Sequence, residues 1–259
     1  MCNASVYLFV DNSNIFISAK SVAALREGRP ARDTIRLHFE NLISLAIANR
    51  PLGHAFVVGS IPPEQRAVWD SLTASTGIVP ELYERGGLSG CEQGLDQCLQ
   101  VHMLRAISDN SMPLIAVLLT GDGAGYDTGV GFHADIKRMR AAGWGIEVLS
   151  WSQSCRKTLR EWATANGCFI ELDTYYKSIT FIEGGRRPEP LNLSKRPMAR
   201  ICLSASQQDE EKSIQQTQKK IESLERELLE LKKQKANKDR RRKKYNKMME
   251  RRRRKKAGS

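Results

Sequence analysis

Short apolar runs alternate with amphipathic stretches from the start of the chain to Leu172. Val6–Val10 (VYLFV) is apolar throughout and stops at the polar string Asp11-Asn12-Ser13-Asn14. Thr34–Asn49 carries Ile35, Phe39, Leu42, Ile43 and Ala46 at helical spacing and predicts a helix. His54–Gly59 is apolar and β-branched, and Pro62-Pro63 then open a helix that continues through Trp69 and Leu72. Ile78–Tyr83 reads as a further strand. After the glycines at 86, 87 and 90, Cys91–Ser108 reads as a helix with Leu95, Leu99, Met103 and Ile107 at steps of four. Leu114–Thr120 (LIAVLLT) is an unbroken apolar run, the pattern of a strand covered on both faces. Phe132–Ala142 predicts a helix ended by Gly143, Ile146–Trp151 a strand, Ser154–Asn166 a helix ended by Gly167, and Phe169–Leu172 a strand.

Strands that alternate with helices imply an α/β domain with a mostly parallel sheet. Such sheets take their ligands beyond the carboxyl ends of the strands. Two of these ends are acidic: VYLFV runs into Asp11, and LIAVLLTG into Asp122. An acid at that position can simply cap the next helix. Asn14 follows Asp11 by three residues, and Asp96 lies on the helix before the second of these strands. Three carboxylates in one place repel one another unless a cation joins them, and such hard oxygen ligands suit Mg²⁺ or Mn²⁺.

Charge divides the chain. Of 259 residues, 41 are Lys or Arg and 29 Asp or Glu, a net +12. Residues 207–259 hold 20 basic against 9 acidic residues, +11, which leaves 21 against 20, +1, for residues 1–206. A nearly neutral body is joined to a basic tail. The longest apolar run, around Pro113–Leu119, falls far short of the ~20 residues that span a bilayer. The N-terminus has no basic region ahead of its short apolar stretch and does not read as a signal peptide. None of the six cysteines forms a CxxC pair, so reduced thiols in an intracellular protein are expected.

Three segments together resemble NYN domains of the PIN-like nuclease superfamily: VYLFVDNSNIF (Val6–Phe16), EQGLDQCLQVHML (Glu92–Leu104), and LLTGDG followed by GFHADIKRMRAAGWGIEVLSW (Leu118–Trp151). The resemblance implies a three-layer α/β/α sandwich with a central, mostly parallel sheet and an acidic pocket that binds a divalent cation and cleaves RNA. It maps Asp11 onto the acid after the first strand, Asn14 onto the Asn three residues later, Asp96 onto the acid of the middle helix, and Asp122 onto the first acid of a Gly-Asp-Gly-Asp-Phe-like motif. Asp11, Asp96 and Asp122 are then the catalytic metal ligands, with Asn14 orienting a ligand or the scissile phosphate. After Gly121-Asp122-Gly123 this chain departs from the family through an insertion rich in glycine. In one alignment Asp127 supplies a fourth metal-binding carboxylate. In the other, Gly131-Phe132 stands where the family has Asp-Phe, and the fourth acid is missing.

Other residues are weaker candidates. Cys98 and His102, four apart on one helix, read as packing or surface residues because no second pair completes a ligand set. His133 reads as a helix-capping or solvent residue, Asp135 as a helix-face residue, and Trp144, Trp151 and Trp162 as core. The glycines at 121–131 match neither GxxxxGK[ST] nor GxGxxG.

The domain is read as residues 1–183, a Gly/Pro linker as 184–206, a coiled-coil helix as 207–236 and a basic tail as 237–259. Ile214, Ile221 and Leu228, with Thr217, Leu224 and Leu231 three positions on, supply a and d positions for a homodimer; a lone solvated helix is the alternative. Arg240, Arg241, Arg242, Lys243, Lys244, Arg251, Arg252, Arg253 and Arg254 form a run that binds RNA phosphates without reading bases, or serves as a nuclear import signal. Two functions stay open: a metal-dependent endoribonuclease, and an NYN-fold RNA-binding or scaffold protein that is catalytically weak or inactive. The insertion at 124–130 separates them.

Overall fold

A computed structural model describes residues 4–61, 66–84, 94–123 and 129–202. Six parallel strands form the central sheet: β1 (Val6–Asp11), β3 (Leu52–Ile61), β4 (Glu81–Glu84), β5 (Ile115–Leu119), β6 (Gly145–Ser150) and β7 (Cys168–Glu171), in the order β4-β3-β1-β5-β6-β7. From β1 the chain winds outward through β3 to β4, returns to the other side of β1 as β5, and winds outward again. The topological switch point therefore lies between β1 and β5, which pair in register from Val6↔Ile115 to Val10↔Leu119.

The alternation of side chains along a strand decides what covers each face. Val6, Leu8 and Val10 of β1 join Ile115, Val117 and Leu119 of β5 in one apolar layer with α1 (Asn12–Glu27), α3 (Phe39–Ile47) and α4 (Arg66–Thr76). Phe9, Ala116 and Leu118 look the other way, onto α5 (Leu95–Asp109), α6 (Phe132–Ala141) and α7 (Lys157–Asn166). Every residue of β5 is buried, as the uninterrupted apolar run at Leu114–Thr120 implies, and so is every residue of β6. Gly59 is part of this packing, since a Cβ there would stand 2.1 Å from the indole of Trp69. The expected α/β sandwich with a parallel sheet is the observed fold.

Two segments differ from expectation. Thr34–Asn49 is not one helix: a single turn, α2 (Ala31–Thr34), leads into β2 (Ile35–Leu37), and only then does α3 begin, with the His38 side chain accepting from Asn41 N. The cause is tertiary. Ile35–Leu37 pairs antiparallel with β8 (Thr180–Ile182), which follows a short helical stretch, a 3₁₀ turn at Leu172–Tyr175 and α8 (Tyr176–Ile179). Residues 184–202, read above as linker, belong to the same compact unit, which extends to Cys202. Arg196 is buried there and reaches Glu147 and the carbonyls of Leu45 and Ala46. Cys202 N donates to Gly143 O at 2.7 Å. Pro62-Pro63, the heptads and the basic run lie outside the described residues.

Candidate functional site

The two acidic strand ends flank the switch point. Asp11 closes β1, and Thr120, Gly121 and Asp122 follow β5. Asp11 is only 6% exposed. Its Oδ1 accepts from Asn14 N at 3.0 Å, so it caps α1, and its Oδ2 accepts from the Thr120 hydroxyl at 2.9 Å. The same hydroxyl oxygen accepts from Asp122 N at 3.2 Å, and Asn14 Oδ1 accepts from Gly121 N at 2.7 Å. Asp11, Asn14 and the main chain of Asp122 are thus tied into one network between the two strand ends, with Thr120 as the link. The capping role and the site role of Asp11 are compatible, because the cap occupies one oxygen and the strand-to-strand link the other.

Gly121 suits the closeness of this network. A Cβ there would lie 3.0 Å from Asn14 Oδ1, 3.0 Å from Ser154 O and 3.1 Å from Ser150 Oγ. Further oxygens gather at this edge: Ser60 toward the end of β3 and Ser150 at the end of β6 are both buried. Asn12, next to Asp11, is 1% exposed, and its Oδ1 accepts no hydrogen bond among the described residues. The chain also brings positive charge to the rim. Arg156 N donates to Gly121 O at 3.0 Å, and Arg156 and Lys157 stand exposed at the start of α7. Thr120 and Arg156 carry no motif signal in the sequence; only their positions, between a strand and Gly121 and just ahead of a helix, hint at them.

Asp96 occupies the first turn of α5 and is exposed. Because α5 connects β4 to the parallel β5, its N-terminus lies at the carboxyl edge of the sheet, the edge that carries Asp11 and Asp122. A first-turn acid also suits the positive end of the helix dipole. Asp127 lies outside the described residues.

His133 does not face solvent, and Asp135, on α6 as expected, lies on its buried face. His133 is fully buried in the first turn of α6, its ring 5.6 Å from that of Trp162, and burial pushes its pKa below the usual histidine value. Asp135 is 2% exposed and meets Arg138 Nη1 at 2.6 Å; burial raises its carboxyl above the usual range in spite of that guanidinium. Trp144 and Trp151 are core, and Trp151 Nε1 donates to Ile15 O at 2.9 Å, holding β6 to α1. A cavity of about 350 Å³ opens between Phe16, His38, Val68, Ser71 and Phe181, but none of the edge acids lines it. Among the described residues no helix is long and apolar enough to cross a membrane.

The fold and this edge define a doubly wound parallel α/β domain with side-chain oxygens gathered at its switch point. No family model matches the chain. Over 111 residues it is 29% identical to an arginine–tRNA ligase from Hyphomonas neptunium (strain ATCC 15444), a match that covers 43% of this chain and 18% of the ligase. Among solved structures it is similar to VPA0982, a protein of unknown function from Vibrio parahaemolyticus RIMD 2210633, with a TM-score of 0.44 and 15% identity over 65% of this chain and 93% of that one.

Proposed function

We propose that the protein is a metal-dependent endoribonuclease that hydrolyses RNA phosphodiester bonds at the carboxyl edge of its sheet. The network that joins Asp11, Asn14 and the Thr120–Asp122 turn across the switch point is the observation that carries this reading. The donor set suits a hard divalent cation: carboxylates at Asp11 and Asp122, with the side-chain oxygens of Thr120 and Asn14 beside the two strand ends. Asp11 and Asp122 would hold Mg²⁺ or Mn²⁺, with Asp96 and Asp127 as the further ligands that the motif resemblance supplies. When bound, such an ion favours ionisation of a water and offsets the charge that builds on phosphate oxygens.

The chain's own part is positioning. Thr120 and the start of α1 set both oxygens of Asp11, so the carboxylate does not have to reorganise when substrate arrives. Asn14 Oδ1 accepts from Gly121 N, so the group Asn14 offers a phosphate is its NH₂ donor. Arg156 and Lys157 at the rim attract the RNA backbone, and the basic tail adds affinity that does not depend on sequence. The heptads at 214–231 would pair two copies.

The test is an assay of the full chain with Mg²⁺ or Mn²⁺ on single-stranded and structured RNA. Cleavage that is lost on chelation and in Asp11→Asn and Asp122→Asn supports the reading. RNA binding without cleavage under every metal condition would favour the scaffold function instead.

A further inference from the structure

On the other flank of α5 the fold assembles three residues that the sequence keeps apart. Cys98 and His102 are four apart on α5 and share one face. Edge strand β4 brings Glu81 against that face, seventeen positions before Cys98. The Cys98 thiol donates to Glu81 Oε2 at 3.0 Å, and His102 Nε2 meets Glu81 Oε1 at 2.7 Å. One donor atom from each of the three residues lies within 4.8 Å of the other two. We propose that Glu81, Cys98 and His102 form a zinc site that joins the edge strand of the sheet to α5.

The ligand chemistry selects the ion. A thiolate, an imidazole and a carboxylate are the three side chains that zinc takes most often, at bond lengths of roughly 2.0–2.3 Å. Ligand atoms around such an ion stand about 3.3–3.8 Å apart, so the two hydrogen-bonded contacts need open by about 1 Å or less, with the ion in place of their protons. The sulfur ligand argues against Mg²⁺ and Mn²⁺, which keeps this site distinct from the oxygen-only edge at Asp11 and Asp122.

The support is in place. The His102 ring stacks on Phe56, with centroids 4.1 Å apart and planes at 18°, and Phe56 stacks in turn on Phe9 of β1. That column sets the plane of the imidazole and hence the direction of Nε2. Tyr83, on the same face of β4 as Glu81, lies beside the Cys98 thiol. The cluster is open on one side: the His102 side chain is 18% exposed and that of Glu81 42%. Three protein ligands with an open side leave the fourth position of a tetrahedral ion to water or to a small ligand. The ion would brace the first turns of α5, where Asp96 lies two residues ahead of Cys98.

Cobalt reports the site directly. The full-length, reduced, chelator-stripped protein is titrated with Co²⁺. The expected result is a thiolate-to-cobalt charge-transfer band and tetrahedral d–d absorption that saturate at one equivalent, both abolished by Zn²⁺. Cys98→Ser removes the charge-transfer band and weakens metal affinity by more than ~100-fold. His102→Gln also weakens binding, whereas Asp122→Asn and Cys155→Ser leave the spectrum unchanged. Thermal melts of each variant without metal show whether it is folded. No band in folded wild-type protein, or an unchanged band in Cys98→Ser, would overturn the proposal. So would loss of the band in Cys155→Ser, which would place the thiolate ligand elsewhere in the fold.

Discussion

Two buried carboxylates in the same domain are set up for different work. Glu147, midway along β6, accepts from Arg50 Nη1 and Nη2 at 2.7 and 2.8 Å, from Arg196 Nη2 at 2.7 Å and from Ala199 N at 2.8 Å. These four donors fill the acceptor capacity of a carboxylate and bring two guanidinium charges. They also tie the end of α3, the sheet and the 184–202 segment together. Burial pushes the Glu147 carboxyl up, but the Arg50 hydrogen bond and the Arg196 charge outweigh it and hold the pKa below the usual glutamate value. Asp11 instead takes a main-chain NH and a hydroxyl, which orient its oxygens at the mouth of the crevice among other side-chain oxygens. A carboxylate enclosed by its own chain's arginines serves folding. One oriented by a helix N-terminus and a neighbouring strand's hydroxyl at a switch point is placed for a ligand.

This contrast predicts which substitutions unfold the protein and which silence it. The largest effect is expected at Glu147→Ala, which leaves two buried guanidiniums without their partner and should destabilise by ~3–5 kcal/mol in denaturant titration. Activity per folded molecule should be unchanged. Asp11→Asn and Asp122→Asn should do the reverse. Cleavage should fall at least ~100-fold, about 2.7 kcal/mol, with the fold retained. Wild-type protein should melt at a higher temperature with Mn²⁺ or Mg²⁺, and Asp122→Asn should lose that response.

Thr120→Val sharpens the comparison, because it removes the link between the two strand ends and not a charge. A cost of ~1–3 kcal/mol is expected from the hydrogen bonds it strands, together with weaker metal stabilisation. A smaller effect should appear on acidification. The folded pKa of Glu147 lies below the unfolded one, so its contribution is complete above the ordinary glutamate range and is lost as pH falls through the lower folded value. Glu147→Gln should flatten that acid limb of the stability curve. The least effect on turnover is expected from deleting 207–259, which lowers the formal charge from +12 to +1. RNA affinity should weaken and lose salt dependence, by a log–log slope of about 0.7 per phosphate contact removed, while saturating short RNA is still cleaved. Identical salt slopes for the full chain and residues 1–206 would assign RNA binding to the body.

The parts of this arrangement legible in the sequence are those set by local pattern. β1 and β5 are continuous apolar runs, and Asp11 and Asp122 stand out because each interrupts or follows one. Residues 12–27 carry a helical stripe at Ile15, Ala19, Val22 and Ala23, but read as a helix only when Asp11 is weighed as a cap as well as a ligand. Ile35–Leu37 was illegible for another reason. Its apolar positions continue the stripe of α3, and its partner, Thr180–Ile182, lies far away in the chain. Glu81 is hidden in the same way, since strand pairing and helix packing bring it to Cys98 and His102. Thr120 and Arg156 have roles that depend on which loops meet at the crevice. Arg196 is drawn in by a buried charge on β6, and nothing in its Gly/Pro-rich surroundings announces that.

The most direct test of the central claim is the initial rate at which the full-length protein cleaves a short single-stranded RNA in Mn²⁺, measured beside Asp11→Asn, Asp122→Asn and Glu147→Gln. The account predicts cation-dependent cleavage that falls at least ~100-fold in both aspartate variants and persists in folded Glu147→Gln. Cleavage at the wild-type rate in Asp11→Asn and Asp122→Asn, or RNA binding with no cleavage in any divalent cation, would contradict it.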